Sequence, residues 1–273
     1  MVEHWQVTDW RSRRRLLDPE IFLNGTNPPP TDLVDQQVWD HLFHLADHVS
    51  ITTSNHHGTV LGLLSLLERG WVHAIGHPQT FLDVAMVDVM DDFSASTFLL
   101  AHGFYRQSIS TLRSVIEATI VGAYLELVGD KSRFDAWRRG EEIGLGKAAG
   151  LLRRMPRVAS FEERLRSVAQ DDLFSQRTQT SAGGWARRAY ARLCEYTHSR
   201  PGRTNSDLWR SNGPIYVTKN VLLVADMYAE IYALAILVVT ITKGRRLGAD
   251  VPTGFEGRRT AWAKFARSCY ACI

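Results

Sequence analysis

The segment from Arg187 to Tyr216 holds residue types that can act on a phosphodiester. It contains six arginines and one histidine, His198, which is the only histidine after position 102. Arginine stabilises negative charge on a phosphate through paired hydrogen bonds, and histidine exchanges protons near neutral pH. Arg192 lies six residues before His198. The pair therefore predicts a catalytic site for RNA cleavage that needs no metal ion.

Helix geometry limits how this pair can act. On one continuous helix Arg192 and His198 point about 120° apart. They converge only if the helix ends near Thr197 or if two copies of the chain meet there. The structural alternative is that His198 caps the C-terminus of a helix while Arg200 and Arg203 are solvated charges of a loop.

A polar stripe is predicted on the helix that begins near Phe104. Its members fall within an arc of roughly 60°, beside a broad apolar face. Such a stripe either forms a structural ion network or lines a polar pocket. The stripe consists of Arg106, Ser110, Arg113, Glu117 and Tyr124.

Ligand contacts are predicted around the same pocket. Arg106, Arg113 and Glu117 would form one wall, and the turn from Ser211 to Pro214 would close it. The remaining predicted binding residues are Tyr196, Arg200, Arg210 and Asn212.

Charged residues also interrupt the most apolar segment of the chain. Lys219, Asp226 and Glu230 are spaced to share one helix face. A buried carboxylate needs a compensating partner, because an isolated buried charge is very costly. Arg106 and Arg113 are the expected partners.

Metal and cofactor chemistry have little support in the sequence. His44 and His48, like His73 and His77, have the spacing of zinc ligands. The sequence has one Glu-x-x-His pair, Glu195 to His198, whereas a ferritin-like site needs such pairs from two helices; no HExxH, GxGxxG, Walker-type or GxSxG motif occurs. We therefore expect neither a metal site nor a cofactor, and interpret the histidines as part of a solvated acidic face.

Composition and charge favour an ordinary globular protein of the cytoplasm. Three cysteines do not form a disulfide framework, and the N-terminus has no apolar core of the length a secretory signal needs. The apolar segment Ile215–Thr242 has no uncharged run longer than Ile231–Thr242, which is too short to span a bilayer. Residues 1–130 carry 7 basic and 16 acidic side chains, and residues 131–210 carry 17 and 9. This asymmetry fits a surface that binds a polyanion, or two halves that neutralise each other in a dimer.

Apolar residues recur with helical periodicity along nearly the whole chain. The fold class is therefore all-α: a bundle of about eight to ten helices built on a long antiparallel hairpin. An irregular arm is predicted for residues 1–30 and a single helical domain for residues 31–273. A capping box at Ser160–Glu163 predicts the start of one short helix. The principal predicted helices are Leu33–Val49, Thr59–Ile75, Gln79–Leu100, Phe104–Val128, Trp185–His198, Ile215–Thr242 and Arg258–Tyr270.

Several motifs resemble a group of bacterial helical proteins that are distantly similar to HEPN domains. They are Gly103-Phe-Tyr-Arg-Gln-Ser108, Leu112-Arg-Ser114 with Glu117, Tyr190 and Leu193 followed by Tyr196-Thr-His198, and Trp209-Arg-Ser-Asn-Gly-Pro-Ile-Tyr216. The resemblance covers roughly residues 95–240. HEPN proteins carry an arginine, four to six residues and then a histidine, a pattern that Arg192 and His198 match. The resemblance implies a homodimer with an RNA-cleaving groove at its interface, acting as a toxin or a phage-defence effector. The alternative is a non-catalytic helical module whose polar pocket binds a small ligand or a protein partner.

Overall fold

A computed structural model describes residues 36–75, 79–176, 178, 183–197 and 214–244. The predicted arm at residues 1–30, the loop after Thr197 and the last predicted helix lie outside this part of the chain. Within it there are eight helices and no strand, which confirms the all-α prediction. The helices are α1 (Gln36–Ile75), α2 (Phe81–Ala101), α3 (Tyr105–Val128), α4 (Lys131–Arg138), α5 (Leu145–Leu152), α6 (Pro156–Ala169), α7 (Trp185–Thr197) and α8 (Thr218–Lys243).

The hairpin of α2 and α3 is the spine of the fold, as predicted. Thr80 begins α2 with a reciprocal capping box to Asp83. Close contact between the two helices depends on small residues: Ser96 and Ser108 hydrogen-bond across the interface at 2.9 Å between their Oγ atoms. A Cβ atom on Gly122 would lie 2.9 Å from the Cβ of Ala85, so only glycine fits there.

The apolar helix α8 forms the centre of the bundle. It contacts α1, α2, α3, α6 and α7. Among the described helices it is the one long and apolar enough to cross a membrane, yet 83% of its apolar window is buried by the rest of the bundle. This burial confirms the prediction of a core helix.

An ion pair and a hydrogen bond hold the C-terminal end of α8 in place. Lys243 forms an almost fully buried ion pair with Asp83 in the first turn of α2. Arg157 Nη1 donates to the carbonyl oxygen of Thr242 at 2.6 Å, and a cation at this position also favours the helix dipole. The C-terminus of α8 is thereby attached to both α2 and α6.

Three predicted helix boundaries differ clearly from the structure. The apolar helix predicted from Ile215 begins at Thr218. The helices expected at Leu33–Val49 and Thr59–Ile75 are joined as α1, with a kink at His57, where φ is −131° and ψ is 24°. The short helix expected to start at Ser160 begins instead at Pro156, because proline at the first helical position already has a helical φ and needs no hydrogen-bonded N–H. Ser160 therefore lies inside α6.

Candidate functional site at the interface of α3 and α7

The polar stripe of α3 faces α7 over part of its length. Arg113 pairs with Glu117 at 3.1 Å, and its Nε atom lies 3.1 Å from the Tyr190 hydroxyl oxygen of α7. The same hydroxyl donates to Glu117 Oε1 at 2.6 Å. About 30% of the Arg113 side chain and 38% of the Glu117 side chain remain exposed. The three residues therefore form a half-buried polar cluster that solvent reaches.

Tyr190 acts as a hydrogen-bond donor in this cluster. Burial, followed by the hydrogen bond to Glu117 and its charge, raises the pKa of Tyr190 far above its usual value. The hydroxyl therefore stays protonated near neutral pH and donates a hydrogen bond to the carboxylate of Glu117. The Arg113 guanidinium also lies 5.2 Å from the centre of the Tyr190 ring, within the range of a cation–π contact.

Arg106 holds the last turn of α7. Its Nε donates to the carbonyl oxygen of Tyr196 at 2.8 Å, and its Nη2 donates to that of Thr197 at 3.3 Å. The final carbonyl groups of a helix have no partner within the helix and carry partial negative charge, so a guanidinium is a suitable cap. Arg113 Nη1 adds a contact of 3.4 Å to the Thr197 hydroxyl. The described end of α7 is thus attached to α3 by two arginines.

Arg192 lies on a different face of α7 from Tyr190. It forms an ion pair with Glu230 of α8, whose side chain is only 6% exposed. Trp185 Nε1 donates to the other carboxylate oxygen of Glu230 at 2.9 Å. The expected compensation of Glu230 by Arg106 and Arg113 is therefore wrong: Arg192 and Trp185 supply it, because α7 rather than α3 carries the donors that face this carboxylate.

The other predicted stripe and binding residues do not join this cluster through their side chains. Tyr196 packs partly against the hydrophobic core, so its main-chain carbonyl rather than its ring belongs to the cluster. Tyr124 accepts a hydrogen bond from Arg133 of α4, and Ser110 is exposed. Of the predicted stripe, Arg106, Arg113 and Glu117 are thus the residues that contact α7. Four predicted site residues, His198, Arg200, Arg210 and Asn212, lie outside the described residues.

Three members of the site were absent from the predicted set of site residues. Tyr190, Cys194 and Thr197 share one face of α7, since their spacings of four and three residues return to nearly the same direction. Thr197 Oγ1 donates to the carbonyl oxygen of Cys194 at 3.2 Å. The periodicity that identified the stripe on α3 identifies this complementary face as well, once α7 is known to pack against α3.

No group of three or more His, Cys, Asp or Glu side chains within the described part of the chain is arranged to hold a metal ion. His41, His44 and His48 lie on the exposed first half of α1. The site at α3 and α7 offers guanidinium, phenol and carboxylate groups, which are suited to hydrogen bonding and charge stabilisation.

Comparisons with family models, with curated proteins and with solved structures found no match for this chain. The resemblance to HEPN domains accordingly stays a prediction from the sequence motifs.

Proposed function

We propose that this chain is a HEPN-like helical protein that cleaves RNA without a metal ion, with His198 and Arg192 as catalytic residues. The observation that carries the proposal is the attachment of the end of α7, where Arg106 holds the carbonyl groups of Tyr196 and Thr197. His198 follows Thr197 directly in the chain. A histidine attached to a fixed helix end is suited to proton transfer, because catalysis requires the acid or base to be positioned.

In the proposed reaction, the 2′-hydroxyl of one nucleotide attacks the adjacent phosphorus and the 5′-oxygen of the next nucleotide leaves. His198 takes the proton of the 2′-hydroxyl and, once protonated, supplies a proton to the leaving 5′-oxygen, so the imidazole ends neutral as it began. Arg192 stabilises the negative charge that develops on the phosphate. The products are a 2′,3′-cyclic phosphate and a free 5′-hydroxyl, so atoms and charge balance without a further reactant.

The surroundings of Arg192 support this role. Its side chain is 39% exposed while it remains paired with Glu230. Its Nε atom is buried without a hydrogen-bond partner, so a phosphate would approach the other side of the guanidinium, and Glu230 with Trp185 would orient the arginine. We also propose that the protein is a cytoplasmic homodimer. Its basic region, residues 131–210, would contact the phosphate backbone of the RNA. A toxin or phage-defence effector is the proposed biological context.

A second candidate function also has an observation in its favour. Carboxylates pair with both Arg113 and Arg192, and main-chain carbonyl groups accept from Arg106. Arginines engaged in this way stabilise the packing of α7 and have less capacity for a phosphate. This arrangement favours a non-catalytic helical module that binds a small ligand or a protein partner beside the half-buried cluster.

Expression in cells distinguishes the two candidates. Wild type, His198→Ala, Arg192→Lys and the control His44→Ala, which alters an exposed histidine of α1, should be compared for growth arrest and for the integrity of total RNA. The nuclease proposal expects arrest and RNA loss for wild type and His44→Ala, and neither for His198→Ala. Equal RNA degradation by wild type and a folded His198→Ala variant would contradict it and favour the binding module.

A further inference from the structure

Two aromatic–imidazole clusters lie at the end of the bundle that carries the α2–α3 turn. The first consists of Phe98 and His102, whose ring centres are 4.1 Å apart. The second consists of Tyr216 with His56 and His57, at ring-centre distances of 5.5 and 6.0 Å. Arg106 places the C-terminal end of α7 at this same end of the hairpin. We call these five residues the turn-end cluster.

Phe98 is the most exposed large apolar side chain in the described part of the protein, at 61%. It lies on the last turn of α2, on the side away from the hairpin partner α3. Its ring contacts His102 and leaves most of its own surface open. An exposed aromatic ring backed by another ring is a chemical feature that stacks with planar groups.

The histidine of this pair has a fixed hydrogen-bonding role. His102 Nδ1 lies 2.8 Å from the carbonyl oxygen of Phe98. A carbonyl only accepts, so Nδ1 carries the proton in the neutral ring, and Nε2 is left as an acceptor. A hydrogen-bond acceptor beside a stacking surface can recognise the amino group of a base or a ribose 2′-hydroxyl.

The second cluster is held in place by its own hydrogen bonds. The Tyr216 hydroxyl lies 3.2 Å from His57 Nε2, at the kink of α1, and accepts from Thr218 Oγ1 at 3.1 Å. These bonds fix the tyrosine ring, and His56 beside it is exposed. The orientation of the Tyr216 ring is therefore fixed before any ligand binds.

The two clusters are joined through Gly103. Its φ is +80°, and a Cβ atom there would lie 2.4 Å from the carbonyl oxygen of Ile215. His102 precedes Gly103 and Tyr216 follows Ile215, so their Cα atoms lie within roughly 13 Å of each other. Neighbouring unpaired nucleotides can reach both clusters across this distance.

We infer that the turn-end cluster is a stacking surface for unpaired bases of single-stranded RNA. This inference rests on the proposed action on RNA and adds the place where the strand binds; unpaired bases rather than a duplex would occupy it, because only unstacked bases can lie on exposed rings. It makes the turn-end cluster a binding surface that acts together with the end of α7, with no part in the chemical step.

Fluorescence anisotropy with a short 2′-O-methyl oligocytidine, which cannot undergo 2′-hydroxyl attack but keeps the amino group of each base, tests the inference. The variants are Phe98→Ala, Phe98→Trp and the control Val168→Ala, which removes an apolar side chain of similar exposure, 59%, from α6. Loss of one stacked base should weaken binding at least about five-fold for Phe98→Ala. Phe98→Trp should restore binding, Val168→Ala should match wild type, and an RNA duplex should compete poorly.

The remaining outcomes overturn either the inference or the proposed function. Equal binding by Phe98→Ala and wild type would refute stacking on Phe98 while leaving RNA cleavage intact. A change of molar mass by light scattering in Phe98→Ala, with unchanged RNA binding, would assign Phe98 to a protein interface. If wild type does not bind the oligonucleotide at all, the proposed action on RNA is itself contradicted.

Discussion

Arg192 illustrates how one side chain can hold a fold together and still be a catalytic candidate. Its ion pair with Glu230 connects α7 to the central helix, and Glu230 is almost fully buried. Removing one member leaves an uncompensated charge inside the protein, which is far more destabilising than removing both. Loss of activity in an Arg192 variant therefore has to be separated from loss of α7 packing.

A double-mutant cycle measures this coupling. We expect Arg192→Met to lower the free energy of unfolding by about 2 to 3 kcal/mol, below the value for a fully buried pair because Arg192 is partly exposed. The double variant Arg192→Met/Glu230→Leu should be less destabilised than the sum of the single changes, since no buried carboxylate remains. Urea denaturation provides the measurement, and strictly additive effects would show that the pair is not coupled.

A second residue-scale prediction concerns Asp92 on α2. Burial, with the charges of Asp88 and Asp91, raises the pKa of Asp92 from 3.8 to about 6. The folded protein therefore binds the Asp92 proton more tightly than the unfolded chain does. The stabilisation that comes from this proton is complete below about pH 4 and is lost as the pH rises through 6.

Replacing Asp92 by asparagine should remove that pH dependence. Asp92→Asn should stabilise the protein at pH 8 by about 1 to 2 kcal/mol. This is less than the free energy equivalent to the whole pKa shift, because the carboxyl group is only partly buried. At pH 4 the variant should match wild type. Asp47→Asn, on the exposed surface of α1, is the control in denaturation at both pH values. A gain of equal size at pH 4 and pH 8 would contradict the assignment.

At the scale of elements, glycines inside helices show which surfaces are in contact. Gly62 of α1 has open space where a Cβ atom would be, whereas the same atom on Gly122 of α3 would meet Ala85. Alanine has the higher helix propensity at both positions, so only packing separates them.

The two alanine substitutions should therefore have opposite signs. Gly62→Ala should stabilise the protein by about 0.5 to 1 kcal/mol. Gly122→Ala should destabilise it by about 1 to 3 kcal/mol, because α2 and α3 would have to separate. Thermal unfolding of both variants tests the close contact in the hairpin. A stable Gly122→Ala variant would show that α2 and α3 are not packed as tightly as described.

Some features of the helices and their contacts could be predicted from the sequence, and others could not. The hairpin, the buried helix α8 and the pairing of Arg113 with Glu117 follow from periodicity and spacing within single segments. The partner of Glu230 did not follow, because the choice between Arg106, Arg113 and Arg192 depends on how α7 is rotated against α8. The start of α6 was missed for a local reason: Pro156 is a stronger signal than the Ser160 capping pattern.

At the scale of the whole molecule, the bundle brings chemically different groups to one end. The turn between α2 and α3, the final residues of α7 and the segment before α8 all lie there. Predicted helix positions alone do not bring these segments together, because they are up to about a hundred residues apart in the chain. We propose that this end of the molecule acts on RNA.

The most direct test is cleavage of a defined single-stranded RNA by purified protein in the presence of EDTA. We expect that wild type and His44→Ala release fragments ending in a 2′,3′-cyclic phosphate, and that His198→Ala, with an unchanged circular dichroism spectrum, releases none. Identical cleavage by wild type and His198→Ala, or no cleavage by either, would contradict it.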